Sequence, residues 1–221
     1  MKGNDDMSLN SLREQTLGEE IANSVSHGVG TLLSVGGAVV AIVMAALHST
    51  AIGVVSACLY GASLIILYAF STLYHSLTNK RAKRVFRVFD HCAIFILILG
   101  SYIPICLTLI GGAIGWILFG VNTACTVVGV VFISINLERW KKLSMVLYLI
   151  MGWSIVASIK PFLAVVDWSG LPLIVSGGLA YTAGVIFYKA RPKYMHFVWH
   201  IFVIAGSVLQ YFFMLFYVFM K

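Results

Sequence analysis

Apolar residues run in long unbroken blocks along this chain, and charged residues are confined to short intervals between them. No Asp, Glu, Lys or Arg occurs from Ile21 to Asn79. A hydrocarbon core takes about 20 apolar residues per helix, so this run holds two spans, parted near His48-Ser49-Thr50 ahead of Gly53. The uncharged run from His91 to Leu137 holds two more, the first beginning near Val85 and the break falling at Gly111-Gly112. Leu143 to Ile159, bounded by Lys142 and Lys160, gives a fifth span; Leu171 to Tyr188 gives a sixth and Met195 to Met220 a seventh. The runs show no dyad alternation over ten-residue segments, which marks helices rather than barrel strands. The expected fold is an all-α integral membrane protein, a seven-transmembrane helix bundle over 21–221 behind a short polar segment, 1–20.

Composition agrees. Hydrophobic residues make up 60% and charged residues 10%, and the mean hydropathy is +0.96; a soluble domain needs a more charged surface. A net charge of +7 raises nucleic acid as a partner, but the basic residues sit in short loops between apolar spans and serve as topology signals. Lys80, Arg81, Lys83, Arg84 and Arg87 follow the second span, Arg139, Lys141 and Lys142 the fourth, and Lys189, Arg191 and Lys193 the sixth. With Lys2 and Arg13 these fall on one side, against Lys160 and Lys221 on the other. The positive-inside rule puts the larger group in the cytoplasm: the N-terminus is cytoplasmic, the C-terminus extracytoplasmic, and the chain a multi-pass protein of the cell membrane. The polar N-terminus lacks the basic start and short apolar core of a cleavable signal, so the first span serves as a signal-anchor. Cys58, Cys92, Cys106 and Cys125 lie inside apolar stretches without a C-x-x-C and read as packing residues.

Ionisable groups within spans are costly and mark functional positions. Ser71 and His75 end the second helix, Asp90 and His91 begin the third, His196 and His200 begin the seventh, and Glu20, Asn23 and His27 open the first. All belong to the cytoplasmic ends; His48 alone among the six histidines sits at the other face. His196 and His200, at i and i+4, project from one helix face, as do Ser71 and His75. Three histidines make a typical catalytic zinc set that leaves a fourth position for water, and a carboxylate beside that water could orient it or take its proton. Blander readings stand beside this one. The histidine pair could face headgroups, Asp90 could pair with Arg87 or Arg84, and Ser71 could bond back to its own helix. Adjacent helix residues point about 100° apart, so Asp90 and His91 cannot both face one centre, and His91 is expected to contact the first helix or the loop. Glu20, Asn23 and His27 share a stripe that either supports the site from behind or caps the helix. His48 reads as a loop residue.

Three segments carry a resemblance: EEIANSVSHGVG from Glu19, STLYHSLTNKRAKRVFRVFDHCAIFILILGSYIP from Ser71, and YKARPKYMHFVWHIFVIAGS from Tyr188. The chain resembles the bacterial hemolysin III family, within the progestin and adipoQ receptor family, over nearly its whole length. The resemblance implies that His75, His196 and His200 bind zinc, that Asp90 contacts the metal through a water, and that Ser71 belongs to the same site. It also connects the chain to membrane hydrolases that include the alkaline ceramidases. Gln210 stands where many relatives carry a histidine, a position distal to the proposed site. Receptor relatives carry a longer N-terminal domain, so a protein-hormone receptor role is not expected.

Three functions follow as expectations. The first is a zinc-dependent hydrolase of a lipid amide or ester, with Asp90 as base and Ser71 as hydrogen-bond donor. The second is a non-catalytic regulator of membrane lipid or energy homeostasis holding structural zinc. The third, a hemolysin-like pore, has little support in a chain too apolar to insert from a soluble state. Membrane lipids are the expected partners.

Overall fold

The computed structural model describes residues 15–221; most of the segment expected at 1–20, with Lys2 and Arg13, lies outside them. The described residues are helical throughout, without strands. They form α1 (Leu17–His48), α2 (Ala51–Ser76), α3 (Lys80–Ile103), α4 (Gly112–Gly152), α5 (Ile159–Val165), α6 (Leu171–Lys189) and α7 (Met195–Met214). A π-helical turn, Pro104–Ile110, continues α3, and another, Leu215–Phe219, continues α7. Pro104 lacks the N–H that a regular helix would use there. Gly111 and Gly112, at φ 65° and 57°, then turn the chain through the left-handed region, which glycine enters without steric penalty.

Local chemistry sets the helix starts. Thr16 and Glu19 cap α1 reciprocally, Thr16 Oγ1 accepting from the Glu19 N–H at 3.4 Å and Glu19 Oε2 accepting from the Thr16 N–H at 2.9 Å. Asn79 Oδ1 accepts from the N–H groups of Arg81 and Ala82, so α3 begins at Lys80, a turn earlier than the apolar run near Val85 indicates.

The polarity of α1 is reversed relative to a soluble helix. Glu19, Asn23, His27, Gly30, Ser34 and Ala38 face inward, while Leu17, Ile21, Val25 and Leu32 face outward; Asn23 is 0% exposed and Leu32 75%. Small and polar residues toward neighbours and large apolar ones outward is the arrangement of a bundle in lipid. Six helical stretches among the described residues are long and apolar enough to cross a membrane.

A close helix approach lies between α1 and α2, where a Cβ on Gly61 would stand 2.6 Å from Ala38 Cβ and 3.2 Å from its Cα. Gly61→Val is therefore expected to destabilise the bundle by about 1–3 kcal/mol. Gly36→Ala, which meets nothing within 4 Å, should be neutral. Thermal unfolding of both variants in detergent checks this, and equal midpoints would count against the close approach.

The basic interval Arg139–Lys142, expected as a loop, is helical. The break lies earlier, at Asn136, whose φ of −159° and ψ of 94° interrupt α4. Its Oδ1 accepts from the Arg139 N–H at 3.0 Å and caps the helix that follows. Contacts on the two sides of Asn136 run in opposite directions along α3. Before the break, Leu118 packs with Tyr102, and Val130 and Ser134 meet Cys92. After it, Tyr148 donates to the His91 carbonyl, and the carbonyl of Gly152 accepts from Tyr102. Asn122 Nδ2 donates to Ser154 Oγ at 3.0 Å across the two halves. Thus α4 doubles back on itself. The α3–α4 pair and the α6–α7 pair are each extensively packed, while α4 and α6 make no extensive contact.

Candidate metal centre

The last turn of α2 and the first turns of α7 bring three histidines together. One ligand nitrogen from each of His75, His196 and His200 lies within 4.8 Å of the others. Ring centroids are 5.2 Å apart from His75 to either partner and 4.7 Å between His196 and His200. His75 and His200 are buried and His196 is partly so. The Nε2 atoms of all three are buried without a hydrogen-bond partner.

For His75 and His200 the opposite nitrogens explain why Nε2 is free to ligate. Glu20 Oε2 lies 2.7 Å from His75 Nδ1. A carboxylate only accepts, so Nδ1 carries the proton and Nε2 presents its lone pair. Ser26 Oγ donates to the Asn23 carbonyl at 2.8 Å and lies 3.2 Å from His200 Nδ1. Its one proton is thereby used, so His200 Nδ1–H donates to it and Nε2 again presents a lone pair. Buried, convergent nitrogen donors held in this tautomer fit a divalent metal ion.

Glu20 has a second function. Its Oε1 accepts from Lys83 Nζ at 2.7 Å, so a basic residue at the start of α3 holds the carboxylate that orients His75. Loss of such an orienting carboxylate typically costs 10–100-fold in metal affinity. Glu20→Ala should weaken binding of a divalent metal ion by about that factor in a chelator competition, and Lys83→Met, which leaves the Glu20–His75 bond, should weaken it less. Equal affinity in wild type and Glu20→Ala would show that the carboxylate does not orient the ligand.

The remaining residues singled out in the sequence are placed as follows. Ser71 lies one turn before His75, 1% exposed, and its Oγ has no partner. Asp90 is buried but not in the tight histidine group; it lines an adjoining chamber, with Oδ2 3.7 Å from His91 Nδ1. Of its expected alternative partners, Arg87 pairs with Glu138 at 2.6 Å. His91 Nδ1 donates to the Arg87 carbonyl at 2.8 Å on its own helix, because a helical side chain reaches back one turn. Asn23 serves through its backbone carbonyl, which positions Ser26, while its Nδ2 donates to Gln15 at 2.7 Å. His27 stacks on His200. His48 is the last residue of α1 at the opposite end.

The chamber, about 150 Å³, lies between the α3–α4 and α6–α7 pairs. It runs along α3 from Asp90 to Tyr102, roughly 18 Å at 1.5 Å per residue. Leu67, Ile94, Leu97 and Val203 make its walls largely apolar, and Asp90, His91 and His27 line it together with Lys141, Thr182 and Gln210. Trp153 Nε1 donates to Thr182 Oγ1 at 3.0 Å across the seam between α4 and α6.

Sequence reasoning missed Glu19, Ser26 and Lys83. The inward stripe of α1 runs Glu19, Asn23, His27, at strict i+4 steps, and Glu20 turns aside toward α2 and α3. Glu19 Oε1 accepts from the Tyr194 N–H at 2.8 Å and ties α1 to the start of α7. The i+4 spacing signals Glu19; nothing in the sequence signals Lys83 above its basic neighbours.

Comparison with known proteins matches residues 15–211 to the family described as Haemolysin-III related. The chain is 38% identical to Hemolysin-3 of Bacillus cereus over 205 residues, 92% of this chain and 94% of that protein. It is 39% identical to the Hemolysin-3 homolog of Bacillus subtilis (strain 168), covering 91% and 95%. Similarity extends to the human Monocyte to macrophage differentiation factor, at 26% identity over 72% of this chain and 68% of that protein.

Proposed function

The chain belongs to the haemolysin-III related family and is a multi-pass membrane protein, and on that premise we propose that it is a metal-dependent hydrolase of a lipid amide or ester. The carrying observation is the convergence of three buried, unpartnered histidine nitrogens beside an apolar chamber. His75, His196 and His200 would hold the ion; imidazole sets suit several divalent metals, and zinc is the one that the family resemblance implies. When bound, such an ion supplies Lewis acidity, which polarises a carbonyl and makes a hydroxide nucleophile accessible near neutral pH.

The protein's own groups do the rest. The chamber takes the acyl chain and brings the carbonyl carbon to the end lined by Asp90. As the water oxygen bonds to that carbon, an Asp90 Oδ takes the released proton. Ser71 Oγ–H donates to the carbonyl oxygen as negative charge collects on it. The bond to the amide nitrogen or ester oxygen then breaks, and Asp90 returns the proton to that leaving atom. The products are a carboxylic acid and an amine or alcohol. The apolar walls exclude bulk water.

In this reading the chain crosses the cell membrane seven times, the doubling-back of α4 at Asn136 supplying two crossings from one helical stretch. The excess of basic residues at the histidine end supports a cytoplasmic site and N-terminus. The test is turnover of a panel of lipid amides and esters by purified protein, with and without chelator. Zinc-dependent product formation supports the hydrolase. A full metal complement with no turnover on any member favours structural zinc in a regulator of membrane state.

A further inference from the structure

His27 lies against the three converging histidines but outside their group. Its ring stacks on that of His200, centroids 3.6 Å and planes 9° apart, and meets the Tyr68 ring edge-on at 5.0 Å. It is 2% exposed, and neither ring nitrogen has a hydrogen-bond partner of sound geometry. An imidazole ligates through a lone pair in its own plane. Parallel stacked rings aim their lone pairs along parallel planes, so His27 cannot share the point on which His200 and its partners converge; no His27 nitrogen belongs to that group. A neutral imidazole nevertheless carries one donor and one acceptor, and burying both without partners is costly.

The chamber is where those two groups can be satisfied. His27 lines it, and most of its other walls are apolar. Asp90 lines it too, as does Lys141, whose ammonium is paired with Glu138 at 2.6 Å, so the Asp90 carboxylate is left to oppose an anionic head. An apolar slot closed by a donor–acceptor ring is complementary to a long-chain amphiphile with a small uncharged head.

We infer that His27 binds the head group of a neutral single-chain lipid, donating through its N–H to the carbonyl oxygen. The inference rests on the hydrolase reading only in placing that carbonyl beside the metal ligands; head-group binding itself needs no turnover.

The probe is 11-bromoundecanamide, whose bromine quenches the chamber tryptophans Trp153 and Trp199, with 1-bromoundecane as the headless control. Zinc content is measured on every sample. Wild type should show saturable quenching by the amide. His27→Ala should bind it at least tenfold more weakly, with zinc and headless binding unchanged. His27→Gln, which keeps a donor and an acceptor, should recover part of the loss, and it carries the test if the alanine variant does not fold. Undiminished amide binding by His27→Ala overturns the inference. So does equal loss for the headless probe, which makes His27 a packing residue, and so does loss of zinc, which makes it part of the metal site. Failure of wild type to bind the amide also overturns it while leaving the metal site standing if zinc is present; absence of zinc from wild type overturns the hydrolase reading whatever the probe does.

Discussion

Protein purified in detergent without chelator is expected to carry about one zinc ion per chain, and the His196→Ala/His200→Ala double variant essentially none. The expectation follows from the donor count. His75, His196 and His200 supply the buried nitrogens of the group, and removing two leaves a single imidazole that cannot hold a divalent ion against water or buffer. The loss should appear directly in metal analysis by mass spectrometry. Thermal unfolding should shift in parallel, because an ion that binds only the folded state stabilises it. Adding zinc should then raise the wild-type midpoint and leave the double variant unmoved. Equal metal in both proteins would relocate the site, and no metal in wild type would leave the histidine cluster to packing alone.

The second large effect is expected at Asp90. Proton transfer by a positioned side chain contributes typically 10²–10⁴-fold, so Asp90→Asn should lower turnover by about that factor on any lipid amide or ester the wild type hydrolyses. Its zinc content should be unchanged, since the carboxylate stands outside the tight histidine group. The combination matters more than either result. Lost turnover with retained metal identifies a proton-handling role. Lost turnover with lost metal makes Asp90 a ligand instead, and full turnover removes it from the mechanism.

Much of this arrangement was legible in the sequence because membrane proteins restrict where polar residues can stand. His196 and His200 are one helical turn apart, and Ser71 and His75 likewise, so their shared faces could be read before any packing was known. Gly111-Gly112 and His48-Ser49-Thr50 marked breaks that the structure contains. The basic run Arg139–Lys142 misled, because charge marks the membrane boundary but does not end a helix; Asn136 makes the break through its own backbone and side chain. Glu20 lies beside His75 but off the stripe read for it, since a stripe drawn on one helix does not reveal which neighbour each edge meets. The chamber had no signature at all. Its walls are ordinary apolar residues from several helices, and it exists because α4 and α6 are not extensively packed against one another.

The reversed polarity of α1 bears on how the protein is made. A lone helix presenting Glu19, Asn23, Ser26 and His27 on one side would set those groups against acyl chains during insertion, an arrangement that bilayers penalise. Only Ser49 and Thr50 separate it from α2, and Gly61 already fits against Ala38. The α1–α2 contact can therefore form early, while Glu19, Ser26 and His27 meet Tyr194 and His200 only when α7 is in place.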